Sequence, residues 1–298
     1  MYVQIMTKGW KKNVSLKKFT SFQIGGKARF FSQVFSEEEL KEVVAEAREK
    51  NLPIFILGGG TNILFPDQGF PGLVIQMALG DVQWLSSRVV AGAGVPLPFL
   101  VEEARKRGLS GLEWGAGIPG TLGGAVRGNA GTKQEFLSQH LEKVKALDQE
   151  KLIFREYLTQ DGKFSYRQSI FKQLPQMIIT SAVLKLEPAN LEKIEKKMTL
   201  NFQARRKQPL DFPSAGSVFK NPSLAPAGQL IDQTGLKGKR TGKAQVSLRH
   251  ANFIVNLGGA RSAQVLTLIH EVEASVKDKF GVSLEREIVV VEEKEKKP

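Results

Sequence analysis

The sequence predicts a mixed α and β protein made of more than one domain. Three observations predict it. Short apolar runs of strand length alternate with segments whose apolar residues recur at helical spacing. Two glycine-rich segments interrupt them, and the character of the chain changes at Pro188. A length of 298 residues accommodates one large domain or two to three smaller ones.

The elements follow in order. Ser36-Glu37-Glu38-Glu39 reads as a capping box, with Leu40, Val43, Val44 and Ala47 on one helical face behind it. Ile54–Leu57 is a short apolar strand that runs straight into Gly58-Gly59-Gly60-Thr61-Asn62. Leu73-Val74-Ile75 and Val89-Val90-Ala91 are further strands. Leu97, Leu100, Val101 and Ala104 mark a helix that stops at Gly108. The stretch from Gly115 to Gly131 is dense in glycine, and strands follow near Val144–Leu147 and Met177–Leu186. Beyond Pro188, Ile194, Met198 and Phe202 give a basic amphipathic helix. Pro209, Pro213 and Pro222 bracket an irregular segment. Phe253–Val255 reads as a strand, Val265 to Val272 as a helix and Ile288–Val291 as a final strand. The charged stretch Glu292–Pro298 reads as frayed.

Composition excludes several chemistries. The chain has no cysteine, so disulfides, thiolate zinc sites, iron–sulfur clusters and a cysteine-linked cofactor are excluded. Its three histidines, His140, His250 and His270, have no metal-site spacing, and no metal is expected. The basic N-terminal stretch has no apolar run behind it, and no segment approaches the roughly 18 apolar residues of a membrane span. A cytoplasmic protein without membrane insertion is expected. The net charge of +13 admits three readings: nucleic-acid binding, a site for phosphate-rich small molecules, or a basic surface with no specific role. The basic residues are scattered without interleaved aromatics, which speaks against nucleic acid.

The loop Gly58–Asn62 follows a strand, as a phosphate-binding loop does, because consecutive glycines turn several backbone N–H groups toward one anion. It is neither a Rossmann fingerprint nor a Walker A motif, and a plain glycine-rich turn is its rival reading. The second segment, Gly115-Ala116-Gly117-Ile118-Pro119-Gly120-Thr121-Leu122-Gly123-Gly124-Ala125, is too poor in large side chains to pack a core. It suits close approach of backbone to a flat or phosphorylated ligand. Two such segments suit a dinucleotide of the size of FAD.

Together with Asn129-Ala130-Gly131, these segments resemble the flavin-binding half of the UDP-N-acetylenolpyruvoylglucosamine reductase family. The similarity continues in order through Tyr166-Arg167-Gln168-Ser169, Ser214-Ala215-Gly216-Ser217-Val218-Phe219-Lys220-Asn221-Pro222, Ala227–Asp232, Gly235–Gly238, His250–Phe253 and Leu284–Ile288, covering roughly residues 16 to 291. The resemblance implies an α+β architecture with a vanillyl-alcohol-oxidase/PCMH-like FAD-binding fold of two subdomains, residues 1–80 and 81–187. A substrate-binding domain, residues 188–298, would follow, with the strand 284–291 joining the first subdomain.

It also implies a flavin-dependent oxidoreductase of cell-wall peptidoglycan synthesis. With non-covalent FAD and NADPH as hydride donor, such an enzyme reduces UDP-N-acetylglucosamine enolpyruvate to UDP-N-acetylmuramate. Negative charge then builds beside the substrate carboxylate and calls for a cation and a hydrogen-bonding acid. By resemblance these are Arg167 and Glu287, and Ser217 donates the proton. Gly58, Gly59, Gly60, Thr61, Asn62, Gly117, Ile118, Pro119, Gly120, Thr121, Gly123, Gly124, Ala125, Asn129 and Ala130 would hold the flavin. Tyr166, Lys207, Asn221 and His250 would face the UDP-sugar. The resemblance is to the shorter subtype, which lacks a tyrosine-bearing loop over the substrate, and a monomer is expected. The chain departs from the family at Thr132-Lys133-Gln134-Glu135, where small and aromatic residues are usual. A different flavin oxidoreductase of the same fold and a nucleotide- or nucleic-acid-binding protein are the competing readings. No Gly-x-Ser-x-Gly elbow supports a hydrolase.

Overall fold

The computed structural model describes residues 9–132, 134–206 and 208–292. Three sheets of four or five strands organise them, with two two-stranded pairs beside these. The first has the strand order Lys11–Ser15, Lys27–Val34, Phe70–Met77, Ile54–Leu57. Its last three strands are parallel, and the helix Glu37–Glu49 makes the crossover between Lys27–Val34 and Ile54–Leu57. Leu40, Val44 and Ala47 of that helix pack with Val34, Leu73 and Ile75. Val74, between the last two, points to the other face and joins Leu16, Phe31, Leu57 and Phe65, as the two-residue period of a strand requires.

The Ser36 side chain accepts from the Glu39 N–H at 3.1 Å. Glu39 does not return the bond to Ser36. Its carboxylate accepts from the Phe35 N–H at 2.8 Å, one residue earlier. Glu37 reaches across to the second sheet, where the Thr180 hydroxyl donates to it at 2.7 Å and Lys145 pairs with its other oxygen.

The second sheet is antiparallel throughout, in the order Ile153–Leu158, Leu141–Asp148, Met177–Lys185, Arg88–Gly92, Val82–Leu85. The helix Leu97–Lys106 buries Leu97, Leu100, Val101 and Ala104 beside it. The glycine-dense stretch also contributes a helix, Leu122–Gly128, and its Leu122, Ala125 and Val126 are buried in the same core. The expectation that this stretch packs no core is therefore corrected for its second half. Gly123 allows it: a Cβ there would fall 2.8 Å from that of Ala93.

The third sheet, Ser214–Ser217, Phe253–Asn256, Ala244–Val246, Arg240–Thr241, is antiparallel and is covered by the helices Ala227–Gln233 and Ser262–Phe280. Phe22, Ile24 and Leu64, from the N-terminal part of the chain, complete its core. Asp67 fastens the same junction. Its carboxylate accepts the N–H groups of Ser262 at 2.9 Å and Ala263 at 3.3 Å, and its own N–H donates to the Ser262 hydroxyl at 2.9 Å. An acid from an early loop thus satisfies the first turn of the 19-residue helix, the end of a helix that favours negative charge. Val289–Val290 pairs in parallel with Ile63–Leu64, immediately after the first glycine loop.

Candidate active site

The strand Ile54–Leu57 delivers Gly58, Gly59 and Gly60 against the second glycine segment. A Cβ on Gly58 would lie 2.7 Å from the Thr121 hydroxyl, and one on Gly59 would lie 2.9 Å from the Gly120 Cα. Gly117, at φ +75°, and Gly120, at φ +125°, occupy the backbone region that favours glycine. The two backbones therefore approach closely at Gly59 and Gly120, and the Thr121 side chain packs against Gly58. The Thr61 hydroxyl lies 3.5 Å from the Pro119 carbonyl. The Thr121 hydroxyl is buried and has no hydrogen-bond partner among the described residues. A buried hydroxyl without a partner is costly in a finished structure. An orphaned donor beside a glycine cradle fits a polar, flat ligand such as FAD.

Other residues assigned to the flavin have partners within the protein. Asn129 takes the left-handed conformation at the end of the helix Leu122–Gly128, donates to the Ser165 carbonyl at 2.9 Å and accepts the Ser138 N–H at 3.1 Å. Its amide is engaged at both ends and fixes the loop that carries Ala130 and Gly131. Beyond it, Thr132 and Glu135 bond to each other. The Thr132 N–H donates to the Glu135 carbonyl at 2.8 Å, the Thr132 hydroxyl accepts the Glu135 N–H, and Glu135 pairs with Lys197 at 3.1 Å. Lys133 lies outside the described residues.

Arg167 sits in a turn closed by reciprocal bonds between Ser165 and Gln168, with φ at +57°. Its Nε donates to Glu287 Oε1 at 2.6 Å, and both terminal nitrogens donate to the Gly131 carbonyl at 3.2 Å. Glu287 is held by its backbone from two sides. Its N–H donates to the Val218 carbonyl at 2.8 Å, and its carbonyl accepts the Asn62 side-chain amide at 3.0 Å. The Asn62 carbonyl in turn accepts the Val289 N–H. The segment 285–291 thus runs between the serine strand and the first glycine loop.

Ser217 ends the strand Ser214–Ser217. The register against Phe253–Asn256 slips between Ser214 and Ser217, where Gly216 has φ +77°, and such a bulge re-aims the residues after it. Asn252 locks the next turn: its carbonyl accepts the Val218 N–H at 2.8 Å, and its side chain bonds the Phe219 N–H and carbonyl at 2.9 and 2.8 Å. The Ser217 hydroxyl makes no hydrogen bond among the described residues and is partly exposed. Lys220 is buried and pairs with Glu285.

Of the residues assigned to the UDP-sugar, Tyr166 is exposed, and its hydroxyl accepts the Asn221 N–H at 3.3 Å. The Asn221 side-chain oxygen accepts the Ala227 N–H at 2.9 Å, which leaves its amino group for a ligand. His250 accepts the Asn252 N–H on Nδ1 at 3.2 Å, and burial holds its pKa below the ordinary histidine value. A neutral imidazole with its proton on Nε2 follows. Lys207 lies outside the described residues.

Three cations near this site were not singled out from the sequence. Lys172 donates to the Arg167 carbonyl at 2.7 Å. Burial, with Lys220 and Arg127 nearby, pushes its pKa down to about 8. Arg127 is desolvated by burial, which lowers its pKa. Arg205, near the end of the helix Leu191–Arg205, donates to the carbonyls of Ala116 at 3.0 Å and Trp114 at 3.2 Å and so clamps the second glycine segment. Only its place in the Arg205-Arg206-Lys207 run marked Arg205 in the sequence.

Two family models match the chain. One is the FAD binding domain, over residues 28–153. The other is the C-terminal domain of UDP-N-acetylenolpyruvoylglucosamine reductase, over residues 208–291. A UDP-N-acetylenolpyruvoylglucosamine reductase of Caldanaerobacter subterraneus is 43% identical over 284 residues, 95% of this chain and 93% of that one. The chain belongs to the UDP-N-acetylenolpyruvoylglucosamine reductase family. A relative of the same description from Clostridium botulinum is 40% identical and covers 93% of this chain and 91% of its own length. The crystal structure of the reductase from Thermus caldophilus is similar at a TM-score of 0.82 and 41% identity, over 95% of this chain and 98% of that one. The fold is accordingly the family's: a vanillyl-alcohol-oxidase-like flavin fold followed by an α+β domain.

Proposed function

We propose that Arg167, Ser217 and Glu287 form the reaction centre of a reductase that converts UDP-N-acetylglucosamine enolpyruvate to UDP-N-acetylmuramate. The enzyme is an FAD-dependent oxidoreductase of peptidoglycan synthesis and uses NADPH. The observation that carries the proposal is the Arg167–Glu287 pair, which joins the turn beside the flavin segment to the extended segment beside Ser217.

FAD, when bound, supplies the hydride that it has taken from NADPH. The residues of the chain do the rest. Gly58 to Asn62, with Gly117 to Thr121, Gly123 to Ala125, Asn129 and Ala130, would hold the cofactor, and the Thr121 hydroxyl would gain the partner that it otherwise lacks. A guanidinium has five N–H donors. Nε and one donor on each terminal nitrogen are engaged with Glu287 and Gly131, so each terminal nitrogen keeps one for the substrate carboxylate. These two N–H bonds lie on opposite edges of the guanidinium, so each meets a carboxylate oxygen singly, and the positive charge stabilises the negative charge that grows there. Glu287, the acid assigned to the centre, accepts from Arg167 and so fixes the guanidinium beside the substrate. Ser217 gives its proton to the carbanion carbon. A serine hydroxyl is a weak acid, and the Lys220 ammonium three residues further on assists it by charge.

Tyr166, Asn221, His250 and Lys207 face the UDP-sugar in this reading. We also take residues 1–80, 81–187 and 188–298 as the functional units; the expected strand 284–291 is shorter, Val289–Val290, and returns to the first unit through its pairing with Ile63–Leu64. The short interval after Arg167 supports a reading as the shorter subtype, and we take the protein as a monomer of the cytoplasm. No helix among the described residues is long and apolar enough to cross a membrane, and no acid–histidine group among them is built for a metal. The test is NADPH oxidation by the purified flavoprotein with and without UDP-N-acetylglucosamine enolpyruvate. Turnover that depends on this substrate and yields UDP-N-acetylmuramate is expected; indifference to the substrate rejects the assignment.

A further inference from the structure

We propose that Lys172 is a positioning residue for the enolpyruvyl step: it fixes Arg167 through the Arg167 carbonyl and places a positive charge behind the Arg167–Glu287 pair. The inference rests on the role given to Arg167 above.

Arg167 has φ +57°, a conformation that a side chain with a Cβ adopts rarely and only when its surroundings impose it. The Ser165–Gln168 turn imposes part of it. Lys172 supplies the rest, since its ammonium donates to the Arg167 carbonyl at 2.7 Å from the short helix Ile170–Gln173. That helix is itself anchored. The fully buried hydroxyl of Ser169, the residue before it, donates to the Arg127 carbonyl at 2.7 Å, in the helix Leu122–Gly128. Lys172 therefore links the flavin segment to Arg167 by a continuous run of hydrogen bonds.

The charges around Lys172 are uneven. Lys220, Arg127 and Arg167 disfavour its proton, and Glu287 favours it. Lys220 is paired with Glu285 and Arg167 with Glu287. Among the described residues no carboxylate lies within ion-pair distance of Lys172. An unpaired, half-buried ammonium beside a site for an anion adds attraction where substrate charge grows. Because burial and the neighbouring cations push Lys172 down to about 8, the charge is present below that pH and is lost as pH rises through it. The neutral amine is also the weaker donor to the Arg167 carbonyl.

The experiment is stopped-flow absorbance of the flavin on the holoenzyme, with each half-reaction followed across pH for wild type, Lys172→Met, Lys172→Arg and Arg167→Lys. In wild type, reoxidation by the enolpyruvyl substrate should fall as pH rises through about 8. In Lys172→Met it should be about 10-fold slower or more, the worth of one charge-assisted bond, with no limb near that pH. In Lys172→Arg, whose guanidinium holds its proton far more tightly than an amine, the limb should move to higher pH. Flavin reduction by NADPH should be unchanged in both Lys172 variants. Near-normal reoxidation in Lys172→Met, alongside a slow Arg167→Lys, overturns the inference and leaves the reading of Arg167 intact. Equal loss of both half-reactions in Lys172→Met also overturns it, by making the lysine merely structural. Where Lys172→Met does not fold, an unshifted limb in Lys172→Arg decides against it. Near-normal turnover in Arg167→Lys overturns the reading beneath it.

Discussion

Arg167 and Glu287 stand 120 residues apart in the chain, and Nε of the first meets Oε1 of the second at 2.6 Å. Both side chains are largely sheltered, at 22% and 17% exposure, so solvent screens the pair less than a surface ion pair. Arg167→Lys keeps the charge and the backbone conformation but loses the planar fork. Reoxidation of the flavin by the enolpyruvyl substrate should fall by about two orders of magnitude or more, the cost of losing an oxyanion donor. Turnover within a few-fold of wild type would remove Arg167 from the reaction.

Ser217 separates the two half-reactions. NADPH reduces the flavin without a proton from serine, so Ser217→Ala should leave that step nearly intact. Reoxidation by the enolpyruvyl substrate should slow about 10²–10⁴-fold, the usual worth of a positioned general acid. Ser217→Cys should recover part of the rate, a thiol being the stronger acid. Parallel loss of both steps in the alanine variant would make the residue structural.

The glycine cradle predicts how the cofactor is lost. Gly59→Ala puts a methyl 2.9 Å from the Gly120 Cα, against backbone that has no rotamer to move, so the protein should purify without flavin. Thr121→Val is gentler. It removes the orphaned hydroxyl, leaves the apoprotein at least as stable and should weaken FAD binding roughly 2- to 10-fold, the worth of one hydrogen bond. Fluorescence titration of apoprotein with FAD measures it. With no cysteine available and no histidine in either glycine segment, acid precipitation should leave the yellow colour in the supernatant. Unchanged affinity in Thr121→Val would mean that the hydroxyl meets no part of the cofactor.

Lys172 also predicts a pH dependence of stability. Its pKa in the fold is about 8, against an ordinary 10.5. Below about 8 the folded and unfolded chains both hold the proton. Between the two values only the unfolded chain holds it, so stability rises with pH across that window. Urea unfolding of the apoprotein on either side of the window should show this contribution, and Lys172→Met should lack it. Identical pH dependence in the two proteins would contradict the burial of the ammonium.

The sequence revealed much of this arrangement wherever function depends on local backbone chemistry. Ser36 caps its helix and Gly108 ends the helix from Leu97 because such signals act within a few residues. The glycine loop after Ile54–Leu57 was legible for the same reason. Contacts made by distant segments were not. Asp67 caps a helix 195 positions away, and no local pattern announces that. Lys172 was hidden because its partner is a carbonyl, whose direction depends on the left-handed turn at Arg167. Asn62 carries a glycine-loop signature, yet its amide supports Glu287. The helix Leu122–Gly128 escaped because Gly123 and Gly124 suppress the apolar periodicity that marks a helix.

The run of bonds from Asn62 and Val218 to Glu287 and Val289 also sets an order of assembly. Each supporting group lies upstream of the segment it supports. On the ribosome, the edge at Ile63–Leu64 and the carbonyl of Val218 must wait with water as their partner while more than sixty further residues are made. A nascent chain in that interval has its glycine loops and its serine, but no acid opposite Arg167. The segment 285–291 would therefore act as a latch on synthesis: the groups that receive it are made first, and Glu287 meets Arg167 only once it is in place.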